Sequence, residues 1–355
     1  VTLIYIAVSF AALSALCSLA VDFGHAQIVK NELRRACDAT AHDYMQLYST
    51  GGQAAANSNG PSTYSASENP IDDGLVTPTV NVSWGYWNST NSTFSTTAVT
   101  NNIAVKVTMS RTRANGNAVP LLFGTLVGCG SVDITVSSIA ALVQGSSTNV
   151  NVSSLSNPYF AGMPLTTTDY AGDTMILDGP TSVTGIPVTP GQYIQFSTFT
   201  GTTSVVPGTV PYVGPAGQTN PAYGSVTAHG QNWDGSYPYT AGSYSENGIG
   251  NAIMPEDALM GVFLGASAPN LTAAPATIDW TQSSMNNKSD YSSILLQQPF
   301  YVGTGVTTGG VTKKFLVPPG ATRLYVGIWD GVEYNNNGGS ISGTISQAPR
   351  VEIVQ

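Results

Sequence analysis

Charge is the scarcest thing in this sequence. Asp, Glu, Lys and Arg together make up 9% of its 355 residues, against about 25% in an ordinary soluble domain. What charge there is leans acidic, with 11 Lys and Arg against 20 Asp and Glu and a formal net charge of −9. No basic patch is available to meet phosphates, which argues against nucleic acid as a partner. Only three histidines and three cysteines occur. No CxxC or Cys/His spacing is present, which argues against a transition-metal centre. No G-x-S-x-G motif, P-loop or dinucleotide-binding glycine pattern is present either, so the sequence argues against an enzyme.

Gly, Ser, Thr and Asn fill the gap that charge leaves. Val, Ile, Tyr, Phe and Trp recur in short runs, so the composition is that of a folded chain rather than a disordered one. It fits an extracellular, β-rich protein with neutral polar loops.

The stretch from Val1 to Tyr48 is unlike the rest. Its first 21 residues carry no charged side chain, and the first charge is Asp22. A run that long and apolar is of a length to cross a bilayer, which takes about 20 residues. Beyond Asp22 the apolar residues thin into a stripe at steps of three and four: Ala26, Val29, Leu33, Ala36, Thr40, Tyr44 and Leu47. Ser49-Thr50-Gly51-Gly52 then reads as a stop. The expectation is one helix over residues 1–49, about 70 Å long. Small residues line it, among them Ala7, Ala11, Ser14, Ala15, Ser18 and Gly24. They let helix backbones approach closely where no water drives association. The absence of basic residues ahead of the run disfavours a cleaved signal peptide. A plain membrane anchor and a pilin-type helix, seated in a membrane first and in a filament core afterwards, both remain open. The start at Val1, directly on the apolar run, suits a processed subunit.

The three cysteines are Cys17, Cys37 and Cys129. Cys17 reads as a small buried hydrophobe. Outside the cytoplasm Cys37 and Cys129 are candidates for a disulfide tying the helix to the next domain. His25 and His42 read as solvated or intersubunit positions on the helix, and Asp72-Asp73 as a turn.

Residues 50–72 read as a polar loop, and 50–146 as a small β domain. Val80, Val82 and Trp84 alternate, as do Ile103, Val105, Val107 and Met109, with a turn at Asn88–Ser92. Val119–Val127 reads as a short helix with Pro120 near its first turn, and Val132–Val143 as a further strand. With these residues in view, the first 146 resemble the TadE/TadG-like pilin family of tight-adherence pilus systems. The run VDFGHAQIVKNELRRACDATA (Val21–Ala41) and the ending VPLLFGTLVGCGSVDITVSSIAALV (Val119–Val143) carry the resemblance. Arg34-Arg35 and His42-Asp43-Tyr44 depart from the family pattern. The resemblance implies a filament subunit, in contact with the inner membrane before assembly and with copies of itself afterwards.

Residues 147–160 are polar and of low complexity and read as a linker. The segment 161–355 is almost wholly β in character. Short runs at Met175–Leu177, Tyr193–Phe199, Ala258–Phe263, Phe300–Val302, Lys313–Val317, Thr322–Ile328, Ser340–Ile345 and Val351–Val354 are separated by Pro/Gly turns. That pattern favours a sandwich or jelly roll. Residues 206–250 form a long aperiodic loop of the kind that serves function or an interface. The fold class expected is therefore α+β: a long apolar N-terminal helix, a small sheet with a short helix, then an all-β sandwich.

The loop from Asp330 to Ser340, DGVEYNNNGGS, offers hard oxygen donors between two strands, and Ca²⁺ takes six to eight of these. The other reading is a loop whose Asp and Asn cap their own backbone. The run VPPGATRLYVGIWDGVEYNNNGGSISGTI (Val317–Ile345), with IMPEDALMGVFLG (Ile253–Gly265) and PGQYIQFSTFTGT (Pro190–Thr202), resembles the galactose-binding lectin A-like family. The resemblance implies Ca²⁺ held by Asp330, Asn336 and Asn337 and by carbonyls near Glu333 and Val205. It also implies sugar contacts at His229 and Gln231. The functional expectation is a pilin-like subunit of an extracellular filament that displays a calcium-binding, lectin-like domain for adhesion to glycans. The alternative is a membrane-anchored, calcium-dependent carbohydrate-binding protein that does not polymerise.

Overall fold

The structure is a computed structural model that describes residues 2–63, 70–74, 76–98, 102–169, 171–218, 227–228 and 245–354. It divides into two compact units. Unit 1 comprises residues 1–144 and 349–355, and unit 2 is residues 145–348, inserted between them.

Unit 1 begins with helix α1 (Thr2–Thr63). The stripe anticipated from its spacing is its buried face: Val29, Leu33, Ala36, Thr40 and Tyr44 are all buried. They pack on Val105, Val107, Met109, Val136 and Ala140 of the sheet beneath. The sheet's strands are β1 (Thr79–Asn88), β2 (Thr93–Ser95), β3 (Ile103–Arg111) and, after the β4–β5 pair (Val119–Pro120, Ser131–Val132), β6 (Ile134–Val143). At Gly52 the backbone leaves the helical region, with φ 73°. Glycine adopts that conformation without a Cβ penalty, so the predicted stop is a kink. The helix resumes to Thr63, where a polar loop was expected. Gly60 then sits so close to Tyr44 that an added Cβ would lie 2.0 Å from the ring.

Three carboxylates hold unit 1 together. Asp22 is buried and accepts the backbone N–H groups of Leu122 (2.8 Å), Phe123 (3.0 Å) and Gly124 (2.7 Å). It thereby caps the 3₁₀ turn Gly124–Val127, which replaces the short helix expected over Val119–Val127. Asp72 accepts from Arg111 Nη1 at 2.6 Å and pairs with His25 Nε2 at 2.9 Å. Glu32 accepts the Asp72 backbone N–H at 2.8 Å. His25 is therefore a partner within the unit rather than a solvated position.

Several expectations are corrected here. Among the described residues no helix is long and apolar enough to cross a membrane. From Asp22 to Asp43 α1 carries charge every few residues, and from Val29 its buried face is committed to its own sheet. The side chains of Ala7, Ala11, Ser14 and Ala15 lie outside the described residues. Cys37 and Cys129 are not bonded to each other. The Cys37 thiol is buried and donates to the Val107 carbonyl at 3.3 Å, while Cys129 is exposed in its loop. Burial, and then the charge of Asp38, push the Cys37 thiol up to about 11.

Unit 2 opens with β7 (Ser147–Ser153), where a linker was expected. It continues with helical turn α2 (Met175–Asp178), where a strand was expected, then β8 (Thr181–Ser182) and β9 (Tyr193–Ser204). Then come β10 (Thr227–Ala228), β11 (Ala252–Met254), β12 (Leu259–Leu264), β13 (Ile278–Asp279) and β14 (Asp290–Tyr291). The last are β15 (Pro299–Tyr301), β16 (Lys314–Leu316), β17 (Arg323–Ile328) and β18 (Gly338–Gln347). A four-stranded sheet runs β15-β12-β17-β8 and a five-stranded one β14-β16-β9-β18-β7. Both send apolar residues into one core, including Phe196, Phe263, Phe300 and Phe315. A three-stranded sheet, β10-β11-β13, adds to them. The chain is thus mostly β, with five sheets among the described residues, rather than an apolar helix followed by one small sheet and one sandwich.

The final strand, β19 (Arg350–Val354), returns to unit 1 and pairs antiparallel with β6. The unit 1 sheet therefore reads β19-β6-β3-β1-β2. Val143 faces Arg350 on one side of the crossing, and Ser147 faces Ser346 on the other. The two ends of the insert are therefore neighbours.

Replacing residues 145–348 with an Asn-Gly turn should leave unit 1 folded, because such a turn closes an antiparallel pair directly; amide chemical shifts of the β6–β19 region, compared with the full chain, check this. A second outcome concerns pH. Burial alone would raise the Asp72 carboxyl, but hydrogen bonds and charge from His25 and Arg111 outweigh it and hold its pKa below the ordinary value. The stabilisation this carboxylate gives is complete above the unfolded Asp pKa and is lost as pH falls through the lower folded one. Asp72→Asn should remove that acid-range dependence. It should also cost about 3–5 kcal/mol at neutral pH by leaving the buried Arg111 without its counter-charge, as read by urea denaturation.

Candidate functional site

Four strand ends of unit 2 converge on a small set of buried oxygens. β12 and β17 are antiparallel, with Leu259 opposite Ile328. The ladder runs one step past the strands: Trp329 N–H donates to Ala258 O at 2.8 Å and Asp257 N–H to Trp329 O at 2.9 Å. Asp257, ahead of β12, and Asp330, after β17, therefore lie at the same end of the four-stranded sheet. In the five-stranded sheet Gly338 pairs with Ser204. Asn337, just before β18, and Val205, just after β9, are thus side by side as well. Thr203 Oγ1 reaches the Asp257 carbonyl at 3.4 Å, which joins the two sheets at this end.

The Asp330–Asn337 loop is held from below. Asp173 accepts the N–H groups of Tyr334 and Asn335, each at 2.9 Å. Tyr334 is fully buried and its hydroxyl donates to the Asp330 carbonyl at 2.9 Å. Glu333 adopts a left-handed backbone, φ 60°, to make the turn.

Three oxygens at this point are buried with no hydrogen-bond partner among the described residues: Asp330 Oδ2, Asn337 Oδ1 and Asp257 Oδ1. Their companion atoms are engaged. Asp330 Oδ1 accepts from Val332 N–H at 3.2 Å, Asn337 Nδ2 donates to Ser154 O at 3.1 Å, and Asp257 Oδ2 accepts from Gln218 Nε2 at 3.1 Å. Burial pushes the Asp330 carboxyl far up. The nearby Asn337 side chain and the Val332 N–H pull it back, while the charges of Asp257 and Asp173 add to the rise. Burial likewise pushes Asp257 up to about 6, against the pull of the Gln218 amide and of the nearby Thr203 hydroxyl and Val205 N–H. Buried polar atoms are nearly always paired, so three oxygens without partners among the described residues, all on residues at these strand ends, single out this end of unit 2.

Of the residues expected from sequence, the fold thus brings Asp330, Asn337 and Val205 together. The Asn336 side chain is exposed instead and donates to the Glu333 carboxylate at 3.3 Å, while the Glu333 carbonyl, the atom expected from sequence, accepts the Asn336 N–H at 3.5 Å across the 3₁₀ turn Tyr334–Asn336. His229 and Gln231 lie outside the described residues. Sequence reasoning missed Asp257 and Asp173. For Asp257 a signal existed: an acid two residues ahead of a strand, Leu259–Leu264, that is apolar or Gly throughout and buried at every position. Among the described residues no three His, Cys, Asp or Glu side chains gather to hold a metal. The donors here are two carboxylates and an amide, a set suited to a hard cation.

A family model described as Tad-like Flp pilus-assembly matches residues 35–140. The matched stretch runs from the packed half of α1 through nearly all of β6, so it covers the helix-on-sheet body of unit 1 and stops before the insert. Over that stretch the chain is similar to a pilus-assembly family. No curated protein matches the chain. No solved structure matches it either.

Because Asp330 is a buried carboxylate with one unpaired oxygen, Asp330→Asn should make unit 2 about 1–3 kcal/mol more stable in the presence of a chelator. Asp173→Asn, which weakens the clamp on Tyr334 and Asn335, should do the opposite. Guanidinium denaturation of the two variants checks the pair.

Proposed function

We propose that this chain is a structural subunit of a pilus-type filament on the cell surface. Unit 1 makes the assembly contact, and unit 2 is the displayed part, holding a divalent cation, Ca²⁺, at Asp330 and Asn337. The single observation that carries the assembly reading is the exposure on the first half of α1. Leu3 is 82% exposed, Phe10 72%, Leu13 65%, Leu19 67% and Phe23 64%. Protein surfaces rarely leave so many large apolar side chains in one place uncovered. The packed half of the same helix already has its sheet, so the exposed half is available to another copy. Ser18 and Gly24, on this part of the helix, are small enough for close backbone approach. The pilus-assembly match over residues 35–140 supports the same reading. The cation reading is supported by the three orphaned oxygens, two of which belong to residues of the loop anticipated from sequence. The sugar contacts expected at His229 and Gln231 do not enter it.

Phe10→Ser combined with Leu13→Ser should abolish filaments in material sheared from cells and viewed by negative-stain electron microscopy. Leu271→Ser, an equally exposed position in unit 2, should leave them intact. Filaments of normal number from the double variant would overturn the assembly reading.

A further inference from the structure

Asp257 is the residue at this site that the sequence pattern did not single out, and its surroundings define a task for it. It is fully buried. Its backbone sits in the left-handed region, φ 65°, where a non-glycine residue is uncommon and worth an explanation. That conformation lets its N–H reach the Trp329 carbonyl at 2.9 Å and so places its side chain at the end of the β12–β17 pair. One carboxylate oxygen takes the Gln218 amide at 3.1 Å, while the other has no partner among the described residues. The charges that act on the neighbouring Asp330 are those of Asp257 and Asp173, both negative. Asp173 spends both its oxygens on backbone N–H groups. Among the described residues no Lys or Arg acts on either Asp257 or Asp330. Two buried carboxylates that act on one another, each with an oxygen unpartnered among the described residues, repel one another and are expensive to desolvate. A third free oxygen, from the Asn337 amide, adds a neutral donor of the kind Ca²⁺ accepts.

We propose that Asp257 is a second carboxylate ligand of the divalent cation, and that the cation clamps the two large sheets of unit 2 together at this end. The inference rests on the cation reading above and extends it from one loop to both sheets. Asp257 and Asp330 come from the β12–β17 pair and Asn337 from the start of β18, so one ion reaches both layers. The double negative charge matches a divalent ion rather than a monovalent one. The buried, oxygen-only setting suits Ca²⁺, since Mg²⁺ sheds its waters reluctantly. Because such a site cannot form in the unfolded chain, binding is coupled to the stability of unit 2.

The test uses the full chain with CaCl₂ and MgCl₂ as probes, by isothermal titration calorimetry and by thermal melts in calcium and in EDTA. Asp257→Asn is the first variant, because Asn tolerates the left-handed backbone best among non-glycine residues. Asp257→Gly, which removes the side chain without backbone penalty, is the second. The expected result is at least a tenfold loss of Ca²⁺ affinity in both variants, with most of the calcium-induced rise in melting temperature gone. In EDTA, Asp257→Asn should melt at or above the wild-type temperature, which a merely structural role for the carboxylate would not produce. Terbium(III) luminescence sensitised through Trp329, next to Asp330, gives a second readout and should fall in both variants. Wild-type Ca²⁺ affinity in both variants would overturn the role of Asp257 while leaving the cation reading intact. A wild-type chain that binds no Ca²⁺ would overturn both.

Discussion

The pairing of β6 with β19 is the constraint on which the two-unit organisation rests. Unit 1 lacks its last strand until the chain has passed through about 200 residues of unit 2. Closing an unstructured loop of that length costs on the order of 5 kcal/mol in chain entropy. Unit 2 reduces that cost by folding: its own first and last strands, β7 and β18, pair along their length, so the ends that β6 and β19 must join are already neighbours. The family match over residues 35–140 fits this arrangement. It covers the later part of α1 and strands β1 to β5 with most of β6, and leaves out the first part of the helix, the insert and the returning strand.

Charge is scarce in this chain, and several of its carboxylates are used as internal ties. Asp22, Asp72 and Asp173 each have both carboxylate oxygens engaged, by backbone N–H groups or by Arg111 and His25. Each ties a loop to a helix, a strand or another loop, at a point where neutral polar loops would hold more weakly. Asp257 and Asp330 differ in that each keeps one buried oxygen without a partner among the described residues. The first group is fully satisfied and serves the fold. The second is left incomplete by the protein itself, which is why the cation reading falls there and not on the other acids.

The exposed apolar half of α1 and its packed half are one helix with two fates. From Val29 on, the spacing of apolar residues matches the helical repeat and one face is buried. Ahead of it, large apolar residues such as Ile4, Phe10 and Leu19 are exposed. A stripe calls for one sheet, whereas apolar residues on several faces call for several neighbours.

Local pattern was enough for much of this. Alternation at Val80–Trp84 and Ile103–Met109 located β1 and β3, the three-and-four spacing from Val29 to Tyr44 located the buried face of α1, and the Asp330–Asn337 loop was visible as a run of oxygen donors. These features depend on neighbours a few residues away, which is what a sequence displays directly. It did not reveal the kink at Gly52, the 3₁₀ turn capped by Asp22, the free state of Cys37, or β7 in place of a linker. Each of these is decided by a partner far along the chain: Tyr44 against Gly60, Asp22 against Leu122–Gly124, Val107 against Cys37, β18 against β7. The site divides in the same way. Sequence determined that Asp330 and Asn337 share a loop. Only the tertiary structure brought Asp257 to them and turned the Asn336 side chain away, because which strand ends meet is set by sheet pairing, and pairing is a property of the folded chain rather than of any one stretch.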